Sequence, residues 1–364
     1  NDGRKLLELI SPTNKYQQKL LKRFTQTMND NLFKKLAYFT DIHFGMRNNA
    51  QQHNKDCSDF VDWFILEAKE RGCETCIFGG DWHHNRASLN ISTMKYSIES
   101  LRKLNNAFEN VYFIKGNHDL FYRESREVSS VEFAKEFENI TVVDNTTIKG
   151  DVALVSWLVG DEWKRVPGIK SKYMFGHFEL PTFKLNAMVE MPDHGGLKRE
   201  MFANQDYVFT GHFHQRQVKD NIIYTGNAFP HNFSDAWDDD RGWMYLEWNG
   251  EPEFFAWKDA PKYKTIKLSQ LLDNPTKYLL PKSTIKISLD IDISYEEANF
   301  IKDTFIDTYS LRDVTLVPVK TNEHEEDMGA EIHFETIDQI VLSQLASLDG
   351  SFNKNVLIEI YNDL

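Results

Sequence analysis

Five short segments of this chain end in side chains that bind divalent metal ions: Asp41-Ile42-His43, Gly80-Asp81, Gly116-Asn117-His118-Asp119, Gly176-His177 and Gly211-His212-Phe213-His214. Together they offer carboxylate, imidazole and amide donors and no thiolate. That donor set suits two hard-to-borderline divalent ions, such as Mn²⁺, rather than a structural zinc. Two such ions side by side are the apparatus for hydrolysing a phosphate ester with water.

Asp41 and His43 lie two residues apart at a strand end, so both can turn toward one ion. Asp81 follows two glycines that let backbone approach closely, and its two oxygens can bridge a pair of ions. The division expected is Asp41, His43, Asp81 and His214 on one ion, with Asp81, Asn117, His177 and His212 on the other. His118 sits next to a ligand and is free to face the substrate, where an imidazole can give a proton to a departing alkoxide. Asp119 is expected to hold the His118 ring in orientation. Any one of these residues alone reads as an ordinary core or surface group; their joint order carries the inference. His53, His194, His324 and His333 have no such context and read as surface or packing residues.

Each motif must be positioned by the apolar run before it. From residue 35 the pattern alternates strand and helix: strands over 36–40, 75–78 and 111–115, helices over 57–71 and 91–108, and a short helix over 131–137. Strands then dominate, over 140–143, 152–157, 173–175, 207–210, 222–225, 243–248 and 253–257. Alternating units followed by many strands predict two sheets with helices outside, with the motifs in loops at carboxyl ends of strands. Residues 1–34 read as a basic N-terminal extension with a helix over 14–28. Three prolines (Pro261, Pro275, Pro281) mark 259–282 as a linker after a 35–258 domain. The rest, 283–364, has a β-α-β-β-α-β order that suggests a ferredoxin-like module.

The chain has 364 residues and a formal net charge of −13, whereas a free-standing nucleic-acid binder is usually basic. Lys164-Arg165, Lys170 to Lys172 and Lys198-Arg199 are local exceptions. No apolar run approaches the roughly 20 residues that span a bilayer, and the first residues carry no signal-peptide core. A cytoplasmic location, with no membrane contact, is expected. The three cysteines fit it; Cys73 and Cys76 lack the second pair a zinc site needs, and Cys76 reads as a small core residue.

The five motifs resemble those of the calcineurin-like metallophosphoesterase superfamily over roughly residues 36–257. Within it the chain is similar to the SbcD-type DNA repair and recombination nucleases, in the form carried by T-even phages. The details that carry this are Gly80-Asp81-Trp82-His83-His84, Gly176-His177-Phe178-Glu179-Leu180, Tyr224-Thr225-Gly226 and Asp240-Arg241-Gly242-Trp243. The resemblance implies a four-layer αββα sandwich with a small C-terminal α+β capping module. It also implies two ions, usually Mn²⁺ with Mg²⁺ as the other candidate, and His84 on the substrate side. By the same resemblance the chain would cut DNA as a homodimer with an SMC-like ATPase subunit, as a 3′-to-5′ exonuclease on duplex ends and an endonuclease on single strands. It would work in the cytoplasm of a bacterium or of a phage's host. Two departures stand out: Gly226-Asn227-Ala228 replaces the usual Gly-Ser/Thr-Pro turn, and the N-terminal extension is not part of the pattern. The competing readings are a stand-alone phosphodiesterase or phosphatase for small or phosphoprotein substrates and a non-catalytic scaffold. The phosphoprotein branch is disfavoured, because Gly80-Asp81-Trp82-His83-His84-Asn85-Arg86 lacks the Gly-Asp-x-x-Asp-Arg-Gly signature.

Overall fold

The computed structural model describes residues 31–184 and 189–318. The helix expected over 14–28, and the later elements of the β-α-β-β-α-β order expected over 283–364, lie outside the described residues.

In chain order the strands are β1 (Lys35–Phe39), β2 (Thr75–Phe78), β3 (Asn110–Ile114), β4 (Ile140–Val143), β5 (Thr147–Lys149), β6 (Val152–Val155), β7 (Tyr173–His177), β8 (Tyr207–Gly211), β9 (Gln217–Lys219), β10 (Ile222–Tyr224), β11 (Gly242–Glu247) and β12 (Glu253–Ala256). They form two six-stranded sheets, ordered β12-β11-β1-β2-β3-β4 and β5-β6-β7-β8-β10-β9. β1 through β4 run parallel, as do β6, β7, β8 and β10; the outer strands β5, β9, β11 and β12 pair antiparallel.

The period-2 alternation of β1 separates two cores. Leu36 and Tyr38 point between the sheets, where they meet Ile77, Tyr112, Phe175, Phe209 and Ile223. Ala37 and Phe39 point the other way, against Phe60 and Phe64 of helix α1 (Gln51–Glu70) and beside Leu101 and Leu104 of α2 (Ile91–Ala107). The far face of the second sheet is covered by 3₁₀ segments at Gly160–Gly168 and Arg199–Phe202, which bury Val166 and Phe202. The protein is a mixed α/β sandwich with two sheets flanked by helical segments.

Some expectations needed adjustment. Helix α1 starts six residues before position 57, because its first turns carry buried polar residues, His53, Asn54 and Asp56, that leave no apolar periodicity. β5 and β9 are three residues each and too short to read from pattern. The stretch expected as a linker holds β13 (Lys262–Lys267) and short helices at Leu268–Asp273 and Pro275–Tyr278. β13 pairs in parallel with β14 (Ser283–Leu289), which pairs in parallel with β15 (Asp313–Pro318). Helix α3 (Tyr295–Tyr309), opened by a Ser294–Glu297 capping box, connects β14 to β15. In a ferredoxin-like split βαβ another strand would separate those two; here they pair directly. Among the described residues no helix is long and apolar enough to cross a membrane.

Phe39 packs its ring 4.6 Å from Phe64 and 5.0 Å from Phe78, centroid to centroid. Phe39→Ala should lower stability by about 4 kcal/mol, read as a fall in the guanidinium midpoint. An unshifted midpoint would remove this ring from the core that supports β1.

Candidate metal centre

Because β1, β2, β3, β7 and β8 are parallel within their sheets, their carboxyl ends present the loops that carry the five motifs. The β1–β2 pairing continues past the strand ends. Asp41 N–H donates to the Gly80 carbonyl (3.0 Å), His43 N–H to Asp81 (3.1 Å) and Phe44 N–H to Trp82 (2.8 Å). This tie holds Asp41, His43 and Asp81 in left-handed backbone at φ of 53°, 54° and 61°, with His212 at 96°. Such conformations cost about 1 kcal/mol or more for L-residues and gather at functional sites. Gly116 is required by space: a Cβ there would stand 2.1 Å from Asp81 Oδ1.

Among the described residues three groups have candidate ligand atoms within 4.8 Å of one another: two that contain a carboxylate, Asp41, His43 and His214, and Asp81, His177 and His212, and a third made of imidazoles alone, His43, His84 and His118. Asp81 Oδ2 lies 3.7 Å from His43 Nε2 and 3.4 Å from His177 Nε2, placing it between the groups. Asn117 Oδ1 lies 3.1 Å from His177 Nε2 and 2.9 Å from His212 Nδ1. His43 Nε2 and His214 Nε2 face each other at 3.2 Å. A cluster of carboxylate, amide and ring lone pairs turned inward is what a pair of cations fits. Burial holds His43 well below the ordinary imidazole value, and His214 below it, so both rings stay neutral donors of lone pairs. Burial acts the same way on His177, but the Asp81 carboxylate outweighs it and raises this group to about 9; a bound cation would displace that proton.

Neighbouring groups fix which ring atom points inward. His177 Nδ1 donates to the Gly79 carbonyl (2.9 Å), leaving Nε2 for the site. His212 is reversed: Nδ1 faces Asn117, and Nε2 lies 3.2 Å from Glu179 Oε2. Holding the remote nitrogen in this way is how proteins orient imidazole ligands. His231, which sequence reasoning passed over, is buried and donates Nε2–H to the Asp41 carbonyl (2.9 Å). It follows a proline at no telling spacing, so no sequence signal marks it. His53 is a buried packing residue whose Nε2 meets the His43 carbonyl at 3.0 Å. Asn227, at the departure from the usual turn, is buried and bonds both Asp235 and Arg241, and the Arg241 guanidinium also donates to the His214 carbonyl.

His118 is half-buried at the edge of the first group. Its backbone N–H donates to Asp81 Oδ1 (2.8 Å), and its Nδ1 donates to the His84 carbonyl (2.7 Å). The ring stacks on His84 at 5.3 Å and stands edge-on to His43 at 5.1 Å, so Nε2 is the nitrogen left for chemistry. The expectation that Asp119 orients this ring is corrected. Asp119 Oδ2 accepts from the backbone N–H of Asp81 (2.9 Å) and Gly116 (2.8 Å), and Oδ1 from Trp82 (2.9 Å) and His83 (3.2 Å). A fully buried carboxylate taking four backbone donors has its oxygens occupied; it straps two loops together. The basic stretches are partly neutralised on the surface, Lys164 by Asp161, Lys198 by Asp193 and Arg199 by Asp220.

With this fold and centre in view, residues 34–216 match the calcineurin-like phosphoesterase family, half of the chain, and the protein belongs to it. The family implies divalent ions, and the two groups of Asp and His fit them. Among relatives, it is similar to exonuclease subunit 1 of Enterobacteria phage T4, 27% identical over 221 residues; the match covers 58% of this chain and 64% of that one. It is also similar to the DNA double-strand break repair protein Mre11 of Nanoarchaeum equitans, 21% identical over 338 residues, covering 80% and 90%. Among solved structures it is similar to the Pseudomonas putida nuclease MPE, with a TM-score of 0.27 and 18% identity over 49% of this chain and 61% of that one.

Asp119→Asn leaves only one acceptor oxygen for four donors. Two backbone N–H groups would face an amide N–H₂, and stability should fall by about 3 kcal/mol, with weaker binding in a Mn²⁺ titration of the folded variant. If only turnover fell, with stability and ion uptake intact, the strap assignment would be wrong.

His83 carries a second signature. Buried between Ser97 and Ser130 hydroxyls at 2.9 Å each, it is held down to about 3 by burial. The unfolded chain, with imidazole near 6.5, takes up a proton that the folded chain refuses. Stability should therefore be lost as pH falls from about 6.5 toward about 3, at up to about 1.4 kcal/mol per unit. His83→Gln should show a shallower fall in unfolding free energy between about pH 7 and about pH 5; parallel slopes would contradict a neutral buried ring.

Proposed function

We propose that this protein is a DNA nuclease that hydrolyses phosphodiester bonds with a pair of divalent ions, most readily Mn²⁺. One observation carries the reading: Asp81 stands between two ligand groups, and a half-buried imidazole with a free Nε2 stands beside them. The likeness to an exonuclease subunit and to a double-strand break repair protein supports DNA as substrate. Residues 35–258 would form the nuclease domain and the chain from β13 onward a capping domain, working as a homodimer with an SMC-like ATPase partner.

Asp41, His43, Asp81 and His214 would hold one ion, and Asp81, Asn117, His177 and His212 the other. When bound, such ions supply Lewis acidity toward the phosphate and lower the pKa of water. The chain's own residues do the rest. Glu179 and the Gly79 carbonyl fix the ligand rings. Asp119 sets the spacing of the Asp81 and Asn117 loops. His118 gives the proton on Nε2 to the departing oxygen and ends as the neutral tautomer, its Nδ1–H still on the His84 carbonyl. The His84 ring, stacked on His118, limits that ring's rotation on the substrate side.

The reading of a stand-alone phosphodiesterase for small substrates is kept by one observation, the net charge of −13 with neighbouring acids on its basic stretches. In the nuclease reading a partner supplies much of the grip on DNA.

The test is end-labelled linear duplex and single-stranded DNA with Mn²⁺, with and without an SMC-like ATPase from the same source, and Asp81→Ala as control. Cutting that the control lacks is expected, and it should change when the ATPase is added. Turnover of a small diester with no DNA cut in either condition would hand the function to the second reading. His118→Asn should lower kcat about 100- to 10,000-fold while calorimetry still records two ions per chain; undiminished cutting would take the proton transfer away from His118.

A further inference from the structure

Beyond His118 the chain leaves the centre as a short hairpin. Leu120 and Ser129 form an antiparallel bridge, Phe121 N–H donates to the Val128 carbonyl (3.0 Å), and Ser130 N–H donates to the Asp119 carbonyl (2.8 Å). Asp119 and Leu120 are buried, so the base of the hairpin is fixed to the site. Three large apolar side chains stand open to water where the hairpin leaves its base, Phe121 44% exposed, Tyr122 51% and Val128 48%, and the turn between them is charged, with Arg123, Glu124 and Glu127 exposed. The Phe121 and Tyr122 rings meet edge to face, centroids 4.8 Å apart at 84°. Nothing in the fold requires this pair outside. Arg123, beside it, is exposed and has no ion-pair partner among the described residues.

Chain geometry limits how far this tip can be from the chemistry. Consecutive Cα atoms are about 3.8 Å apart, so the Phe121 Cα lies within about 11 Å of the His118 Cα. Stacked nucleotides advance about 3.4 Å each, which places the aromatic pair within roughly three or four nucleotides of a phosphate at His118. Exposed rings beside an unpaired cation, at nucleotide range from a phosphate-cleaving centre, match the way proteins hold single strands. A protein contact would explain the exposed rings but not their adjacency to the site beside Arg123.

We propose that Phe121 and Tyr122 are a stacking platform for an unpaired base of the nucleic acid being cut, with Arg123 on an adjoining phosphate. The proposal rests on the nuclease reading and narrows it: the preferred substrate is a single strand or a frayed end, whose bases are free to leave their partners, rather than a closed duplex.

The test separates binding from cutting. A labelled single-stranded oligonucleotide and an abasic strand of equal length are titrated in EDTA and read by fluorescence anisotropy. The native chain should bind the normal strand about 10-fold or more tightly than the abasic one. In the Phe121→Ala/Tyr122→Ala variant that ratio should collapse to near one. Phe121→Trp should preserve it, and Tyr122→Ala alone, a change at an exposed site, guards against loss of fold. Equal affinities in the native chain, or an unchanged ratio in the double variant, would overturn the platform. So would a shift in oligomeric state by sedimentation velocity with no change in affinity, which would make the tip a protein contact. The two readings fail differently. Ring-dependent strand binding without any Mn²⁺-dependent cutting would sink the nuclease and leave the platform; cutting with no normal-to-abasic difference would do the reverse.

Discussion

Four backbone N–H groups, from Asp81, Trp82, His83 and Gly116, converge on the buried carboxylate of Asp119, and the rest of the centre depends on that convergence. The loops after β2 and β3 supply Asp81, Asn117 and His118, and their separation is set by one side chain too short to stretch. The same geometry lets His118 N–H reach Asp81 Oδ1 and explains why position 116 has no room for a Cβ. Buried backbone donors left without a partner would each cost about 1–3 kcal/mol, so the strap stabilises the fold and places the ligands through the same bonds.

The sandwich provides the other half of the arrangement. β1, β2 and β3 belong to one sheet and β7 and β8 to the other, and the core between them joins the sheets so that both sets of loops face one another. Left-handed backbone at Asp41, His43 and Asp81 is tolerated because the β1–β2 hydrogen bonds continue past it and over-determine those residues, while His212 N–H is held by the Asp41 carboxylate.

Electrostatics then decides what the point can hold. Burial keeps His43 and His214 neutral, while Asp81 pulls a proton onto His177. The result is an electron-rich cavity edge in an acidic protein, suited to cations and, through them, to phosphate. Outside this edge the described basic stretches sit largely beside acids, so attraction for a polyanion has to come from the ions, from a partner, or from contacts with the bases themselves.

The seven side chains expected as ligands follow apolar runs in the sequence, and that they converge was decided by the packed sheets. Helix α3 fills the first helical place in the β-α-β-β-α-β order, and its capping box is a local signal. What could not be read was everything set by contacts distant in sequence. His231 reaches the Asp41 carbonyl across 190 positions, and Glu179 reaches the remote nitrogen of His212 across 33. Asp119 looked like a partner for its neighbour His118 and instead spends its oxygens 36 to 38 positions away as well as on Gly116. β13 was hidden among lysines because its pairing with β14 is not encoded in its own alternation. Local pattern determined which residues could bind ions and the order of strands that carries them; only the packed sheets decided which nitrogen faces inward, which carboxylate is structural, and which aromatic rings are left in water.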